Sequence, residues 1–220
     1  MINTKAKKNL YVGLAFITAF ILWTVMIITT DVQPMGVNGT DIGLSTINLW
    51  FHRLTGANMT LYIITDWLGL VPIFSCLVFG FVGAVQFVKR KSLAKVDRDI
   101  IILSVYYISV IFLYLFFETI PINYRPILIN GYMEASYPSS TTLLVLSVMP
   151  TVSFQTKRMV KNSTACKVLN ILAIAFSAFM VIGRLLSGVH WLSDIIASVL
   201  VSAGLFCIYK SLVLMYDKEK

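Results

Sequence analysis

Six stretches of helix length carry almost no charge, and they constrain this chain more than anything else in it. They are Leu10–Thr29, Trp67–Val88, Ile100–Phe117, Thr142–Phe154, Val168–Leu186 and Trp191–Met215. Roughly 20 apolar residues in a helix cross a hydrocarbon core of about 30 Å. Lipid offers no partner to backbone N–H and C=O groups, so a crossing segment must be a helix or part of a closed barrel. The runs lack the apolar–polar alternation of barrel strands. The expected fold is therefore all-α: a polytopic membrane protein, a six-transmembrane-helix bundle forming one domain over residues 1–220. The fourth run is short, reaches about 140–156 only with its flanks, and is expected to sit tilted or covered by protein. Composition agrees, with 58% hydrophobic and 13% charged residues and a mean hydropathy of +0.83. Soluble domains carry about twice that charge. The first run has no A-x-A cleavage pattern and is expected to be a retained helix rather than a signal peptide.

A net charge of +8 would suit nucleic acid, but its distribution suits a bilayer. Lys5, Lys7 and Lys8 precede the first run. Lys89, Arg90, Lys91, Lys95 and Arg98 lie between the second and third. Lys157, Arg158, Lys161 and Lys167 lie between the fourth and fifth. Lys210, Lys218 and Lys220 come at the end of the chain. With six spans these all fall on one side, which the positive-inside rule makes cytoplasmic. A cell-membrane protein with both termini in the cytoplasm is expected, with the bilayer and not nucleic acid as its partner. Only Arg53, Arg125 and Arg184 are left for the outer side. Cys76, Cys166 and Cys207 show no metal-ligand spacing and are expected to pack as small apolar residues.

The segment from Asp31 to Asp66 is expected to be a long outer loop. It opens on turn formers at Pro34, Gly36 and Asn38-Gly39. Ile42–Leu54 has helical apolar spacing with Trp50 and Phe51 as anchors, which predicts a helix lying on the outer surface. His52 and Arg53 there are expected to meet lipid headgroups. A second outer loop, Glu118–Thr141, is interrupted by Pro121, Pro126, Gly131 and Pro138. It carries Arg125 and ends in Ser139, Ser140 and Thr141, where a hydroxyl can cap the next helix and free amides can seat an anion.

The densest chemistry lies in Gly183–Asp194, GRLLSGVHWLSD. Charged groups at the edge of a span are costly and usually functional. If His190 and Asp194 share a helix, their i, i+4 spacing lets the carboxylate orient the imidazole. Arg184 could hold an anion beside it. Arginine forks and a helix start suit a phosphoryl group, and a neutral histidine can attack phosphorus. No metal cage is apparent and no cofactor is expected. A phosphoryl substrate inside a membrane bundle is most simply a lipid phosphate.

At these residues the chain resembles the type 2 phosphatidic acid phosphatase superfamily. The family's third motif, Arg, five residues, His, three residues, Asp, is complete as Arg184, His190 and Asp194. Its Arg-Pro is present as Arg125-Pro126, but Glu118 stands where that motif has lysine. Its Pro-Ser-Gly-His reads Pro138-Ser139-Ser140-Thr141, with threonine for the histidine. The resemblance implies His190 as nucleophile through a phosphohistidine, Asp194 orienting it, and Arg125, Arg184 and the backbone around Ser139, Ser140 and Thr141 binding phosphate. The missing histidine is the family's acid for the leaving group, help worth roughly 10²–10⁴ in rate. A lipid monophosphate leaving from a diphosphate needs that acid least, so an undecaprenyl-diphosphate-like substrate is expected. Glu118, protonated by burial, is the candidate replacement acid. Two alternatives stay open: a protein that binds or transports phospholipid without turnover, and a lipid phosphotransferase.

Overall fold

The computed structural model describes residues 4–216; residues 1–3 and, among the basic residues, Lys218 and Lys220 lie outside the described residues. Eight α-helices follow in order: α1 Thr4–Thr29, α2 Ser45–Thr55, α3 Met59–Leu68, α4 Leu70–Arg90, α5 Arg98–Thr119, α6 Ser140–Met159, α7 Ser163–Leu186 and α8 Leu192–Tyr216. No β-strand forms among the described residues; only isolated bridges do.

Five segments are long and apolar enough to cross a membrane: α1, α3 with α4 as one unit of 32 residues, α5, α7 and α8. They expose large apolar side chains such as Leu22, Phe74, Phe81, Phe112 and Ile171, as lipid-facing helices do. The remaining long helix, α6, is 20 residues but too polar to qualify. It runs through the bundle, packed against α4, α5, α7 and α8. Its polar groups are satisfied there rather than shown to lipid. Tyr107 and Thr151 share a hydroxyl hydrogen bond of 2.7 Å, Tyr106 donates to the Ser147 carbonyl at 2.9 Å, and Ser202 donates to the Leu143 carbonyl at 3.2 Å. A hydroxyl seam of this kind holds helices together where lipid supplies no hydrophobic drive.

The second run differs from the sequence expectation. Its helix begins at Met59 rather than Trp67, so the outer loop is shorter than Asp31–Asp66. Asn58 caps it, accepting from the Leu61 amide at 2.9 Å. The sequence puts Asp66 at the end of the outer loop; it lies inside α3, where it pairs with Arg184 of α7. The break at Gly69 has its own cause: Pro72 has no N–H to give the Leu68 carbonyl.

Helices α1 and α8 run antiparallel. Ser211 donates to the Ala6 carbonyl at 2.7 Å, and Trp23 donates to the Ser193 carbonyl at 3.1 Å near their other ends. Gly13 and Gly204 make their crossing close, since a Cβ on Gly204 would stand 2.8 Å from Ile17 and 3.2 Å from the Gly13 carbonyl. The basic segments gather at one end. Arg158 of α6 bonds Asp99 of α5 at 2.7 Å, and Arg90 pairs with Asp97 at 2.7 Å. At the opposite end α2 lies over the start of α8, close to the surface helix that Ile42–Leu54 predicts. Asn48 is fully buried and fastens it, accepting from the Ser193 amide at 3.1 Å and donating to the Ser193 hydroxyl at 2.9 Å.

Candidate active site

Three pieces of chain meet at the α2 end. The first is the α5–α6 connection, which is a folded hairpin rather than a slack loop. Asn130 and Gly131 take positive φ, 51° and 83°, and Ile129 and Tyr132 exchange backbone bonds across them. Asn-Gly is the residue pair such a two-residue turn favours. The Arg125 amide then donates to the Glu134 carbonyl at 3.1 Å, and the Ser136 amide donates to the Asn123 carbonyl at 2.9 Å. The second piece is the turn from α7 to α8. Gly188 has φ 65° there, and a Cβ on it would stand 1.8 Å from the Gly56 carbonyl, so only glycine lets the turn nest against the α2–α3 connection. The third is α3, which presents Tyr62, Thr65 and Asp66.

Arg184 is 1% exposed. Its Nη2 meets Asp66 Oδ1 at 3.1 Å and donates to the Thr141 hydroxyl; its Nη1 donates to the Tyr62 carbonyl and the Thr65 hydroxyl, both at 3.4 Å. Arg125 comes in from the hairpin, with Nη2 3.1 Å from Glu134 Oε2. Both guanidiniums face the Tyr62 ring, at 5.7 Å from its centre for Arg125 and 4.9 Å for Arg184.

His190 is buried beside them. Its Nδ1 lies 3.1 Å from the Ser136 carbonyl, which can only accept, so Nδ1 carries the proton. In the neutral ring Nε2 then bears the lone pair. Burial holds the imidazole well below its ordinary value of 6.5, and the charges of Arg125 and Arg184 push it the same way. His190 is thus a neutral base, close enough to two arginines to feel both charges, with Nε2 unpaired. Among the described residues six buried side-chain nitrogens have no hydrogen-bond partner, and four of them are His190 Nε2, Arg184 Nε, Arg125 Nε and Arg125 Nη1. Buried donors are nearly always paired. Three unpaired guanidinium nitrogens and one imidazole lone pair, within electrostatic reach of one another, fit a bound tetrahedral anion.

Asp194 is fully buried and accepts from the Ser136 hydroxyl and from the Trp191 amide at 2.9 Å. The helical pairing considered for His190 and Asp194 does not form. The Gly188 turn delays α8 until Leu192, so His190 precedes it and Asp194 sits in its first turn. Their side chains are 3.9 Å apart, too far for a hydrogen bond.

The Pro138–Thr141 stretch divides. Thr141 reaches Arg184. Ser140 opens α6, where first-turn amides have no carbonyl within the helix to bond. Ser139 is not free to bind phosphate: its amide donates to the Asp194 carbonyl at 3.3 Å and its hydroxyl to Thr142 at 3.0 Å. It makes no side-chain cap either. Glu118 ends α5 exposed, in a narrow crevice with Tyr137 and Ser140, so the burial expected of it is absent. His52 does not face headgroups alone; its ring lies edge-on to Trp191 at 5.6 Å. Tyr62, Asp66, Asn123 and Ser136 were not singled out from sequence. An acid at the margin of an apolar run was the available signal for Asp66, and Asn130-Gly131 for the hairpin that delivers Ser136.

Residues 100–217 match the family model of the PAP2 superfamily. No curated protein sequence matches the chain. Its fold is similar to that of "the first transmembrane PAP2 type phosphatidylglycerolphosphate phosphatase from Bacillus subtilis", with a TM-score of 0.66 and 16% identity over 95% of this chain and 97% of that one.

Proposed function

This chain belongs to the PAP2 superfamily, and from that premise we propose that it is a membrane lipid phosphatase working through a phosphohistidine on His190. The observation that carries the reading is the set of unpaired nitrogens on Arg125, Arg184 and His190. Arg125 Nε and Nη1, Arg184 Nε and the first amides of α6 bond the phosphoryl oxygens. His190 Nε2 attacks phosphorus from the opposite side to the leaving oxygen. An N–P bond forms, the P–O bond to the leaving group breaks (in a diphosphate, the bond bridging the two phosphorus atoms), and the electron pair departs with the leaving oxygen. Water then attacks phosphorus, the N–P bond breaks with its electron pair returning to Nε2, and the water's protons leave with the phosphate, so His190 regains its neutral form. The arginines balance the charge that gathers on the equatorial oxygens.

The lipid part of the reading rests on a groove of 560 Å³ between α4, α5 and α6. Asp66 and Thr141 line it beside Arg184, and Leu70, Ile73, Val110 and Leu144 line it further on. A hydrocarbon chain suits that lining. The gathering of basic segments at the opposite end of the bundle supports an outward-facing site, by the positive-inside rule. With Thr141 where the family's acid would stand, a diphosphate is the favoured substrate, since its leaving group departs as a stable anion.

The test is phosphate release by protein purified in detergent, from undecaprenyl diphosphate, phosphatidylglycerolphosphate and phosphatidate. The diphosphate should turn over fastest, and His190→Ala should abolish release. Equal or faster release from a monoester would end the diphosphate preference, and release surviving in His190→Ala would end the phosphohistidine. Asp66 and Glu134 already occupy one edge of each guanidinium, which favours a second reading in which phosphate binds without turnover. That protein would bind labelled lipid phosphate, lose binding in Arg184→Gln and release nothing.

A further inference from the structure

The separation of 3.9 Å between His190 Nδ1 and Asp194 Oδ2 leaves the carboxylate without a direct bond to the ring it is supposed to orient. Ser136 fills that interval. It is 1% exposed. Its hydroxyl donates to Asp194 Oδ2 and stands 3.3 Å from His190 Nδ1, while its carbonyl accepts from the same Nδ1 at 3.1 Å. Two oxygens of one residue therefore face one N–H. The residue is itself held on both sides: its amide donates to the Asn123 carbonyl, and the next residue, Tyr137, is buried against Phe20 and Phe117 with its hydroxyl 2.6 Å from Thr24.

We propose that Ser136 is the positioning residue through which Asp194 acts on His190, its carbonyl fixing the Nδ1–H tautomer and its hydroxyl linking imidazole to carboxylate. The proposal rests on the phosphohistidine reading for its kinetic consequence, though not for its geometry. When Nε2 bonds phosphorus the ring becomes cationic and its Nδ1–H becomes a stronger donor. A hydroxyl oxygen whose own proton is committed to a carboxylate is the better acceptor for it, because hydrogen bonds in series polarise one another. No proton changes owner: Nδ1 keeps its hydrogen, Asp194 keeps its charge, and Ser136 keeps its hydroxyl proton. The serine supplies geometry and polarisation, as partners behind a reacting group do elsewhere.

The experiment uses the full chain in detergent with ¹⁵N-labelled histidine. The sequence has two histidines, so His52→Gln leaves His190 as the one imidazole signal. The Nδ1 resonance should be that of a protonated nitrogen. Asp194→Asn should shift it when Ser136 is present and leave it unmoved in Ser136→Ala. In the kinetic arm Ser136→Ala should lower kcat by about 10–100-fold with KM within about twofold, and Ser136→Thr should restore most of the loss. The Ser136→Ala/Asp194→Asn pair should be no slower than the slower single variant. Ser136→Cys replaces the alanine variant if that one fails to fold. An equal Asp194→Asn shift in both backgrounds, or losses that multiply, would overturn the proposal. If the parent protein releases phosphate from no lipid, the functional reading fails, and the ¹⁵N arm alone still decides the role of Ser136.

Discussion

Arg184 is fixed from four directions at 1% exposure, by Asp66, Thr141, Thr65 and the Tyr62 carbonyl, and only its Nε is unspoken for. A fork held this rigidly presents one donor at a set angle, which lysine cannot imitate. Arg184→Lys should therefore cost about 10²–10³ in kcat/KM, the scale of losing one preorganised donor, with the protein still folded by circular dichroism. The pH profile follows from the neighbours of His190. Burial and two cations depress its protonation well below 6.5, and the proposed attacking form is the neutral ring. Acidification therefore protonates the nucleophile only at a pH well under its ordinary value, and activity should persist there. Arg125→Gln removes one of those cations and should move the acidic limb of the kcat/KM profile to higher pH. An unmoved limb would separate Arg125 from the imidazole electrostatically.

The elements divide by what holds them. Between α1 and α8 it is closeness of backbone, so Gly204→Leu should wedge them apart at a cost of about 1–3 kcal/mol, read as a lowered melting temperature in detergent. Gly80 faces open space on α4, and Gly80→Leu should leave the melting temperature unchanged. Helix α2 depends on a borrowed cap. Asp31 accepts from the Thr46 amide at 2.7 Å and the Ser45 hydroxyl at 2.9 Å, and chiefly the Thr46 bond holds its carboxyl at about 2. A lowered acid stabilises the fold above its ordinary value of 3.8, and that contribution is lost as pH falls through about 2. Asp31→Ala should speed hydrogen exchange of the first α2 amides several-fold at neutral pH. The apolar runs made α1, α5, α7 and α8 legible because lipid imposes one length and one polarity on a spanning helix. They misled at α3, where a single acid inside a helix looks like the end of one until its arginine partner in α7 is known.

At the scale of the molecule, the basic segments collect at one end and the unpaired nitrogens at the other. Arg184, His190 and Asp194 were legible together because they lie within eleven residues of chain. Asp66 and Ser136 were not, because only the fold brings α3 and the α5–α6 hairpin to them. The spacing between His190 and Asp194 suggested a direct pair, and the turn at Gly188 puts a serine from another segment between them. His190 Nε2 is the atom proposed to meet phosphorus, since Nδ1 is already engaged by Ser136. The most direct measurement is rapid quench of the protein with a labelled lipid diphosphate, followed by mass spectrometry under conditions that preserve N–P bonds. A phosphoryl group on His190, on Nε2 and absent from Arg184→Gln, is the predicted result. Phosphate release with no label on His190 at any quench time would contradict it.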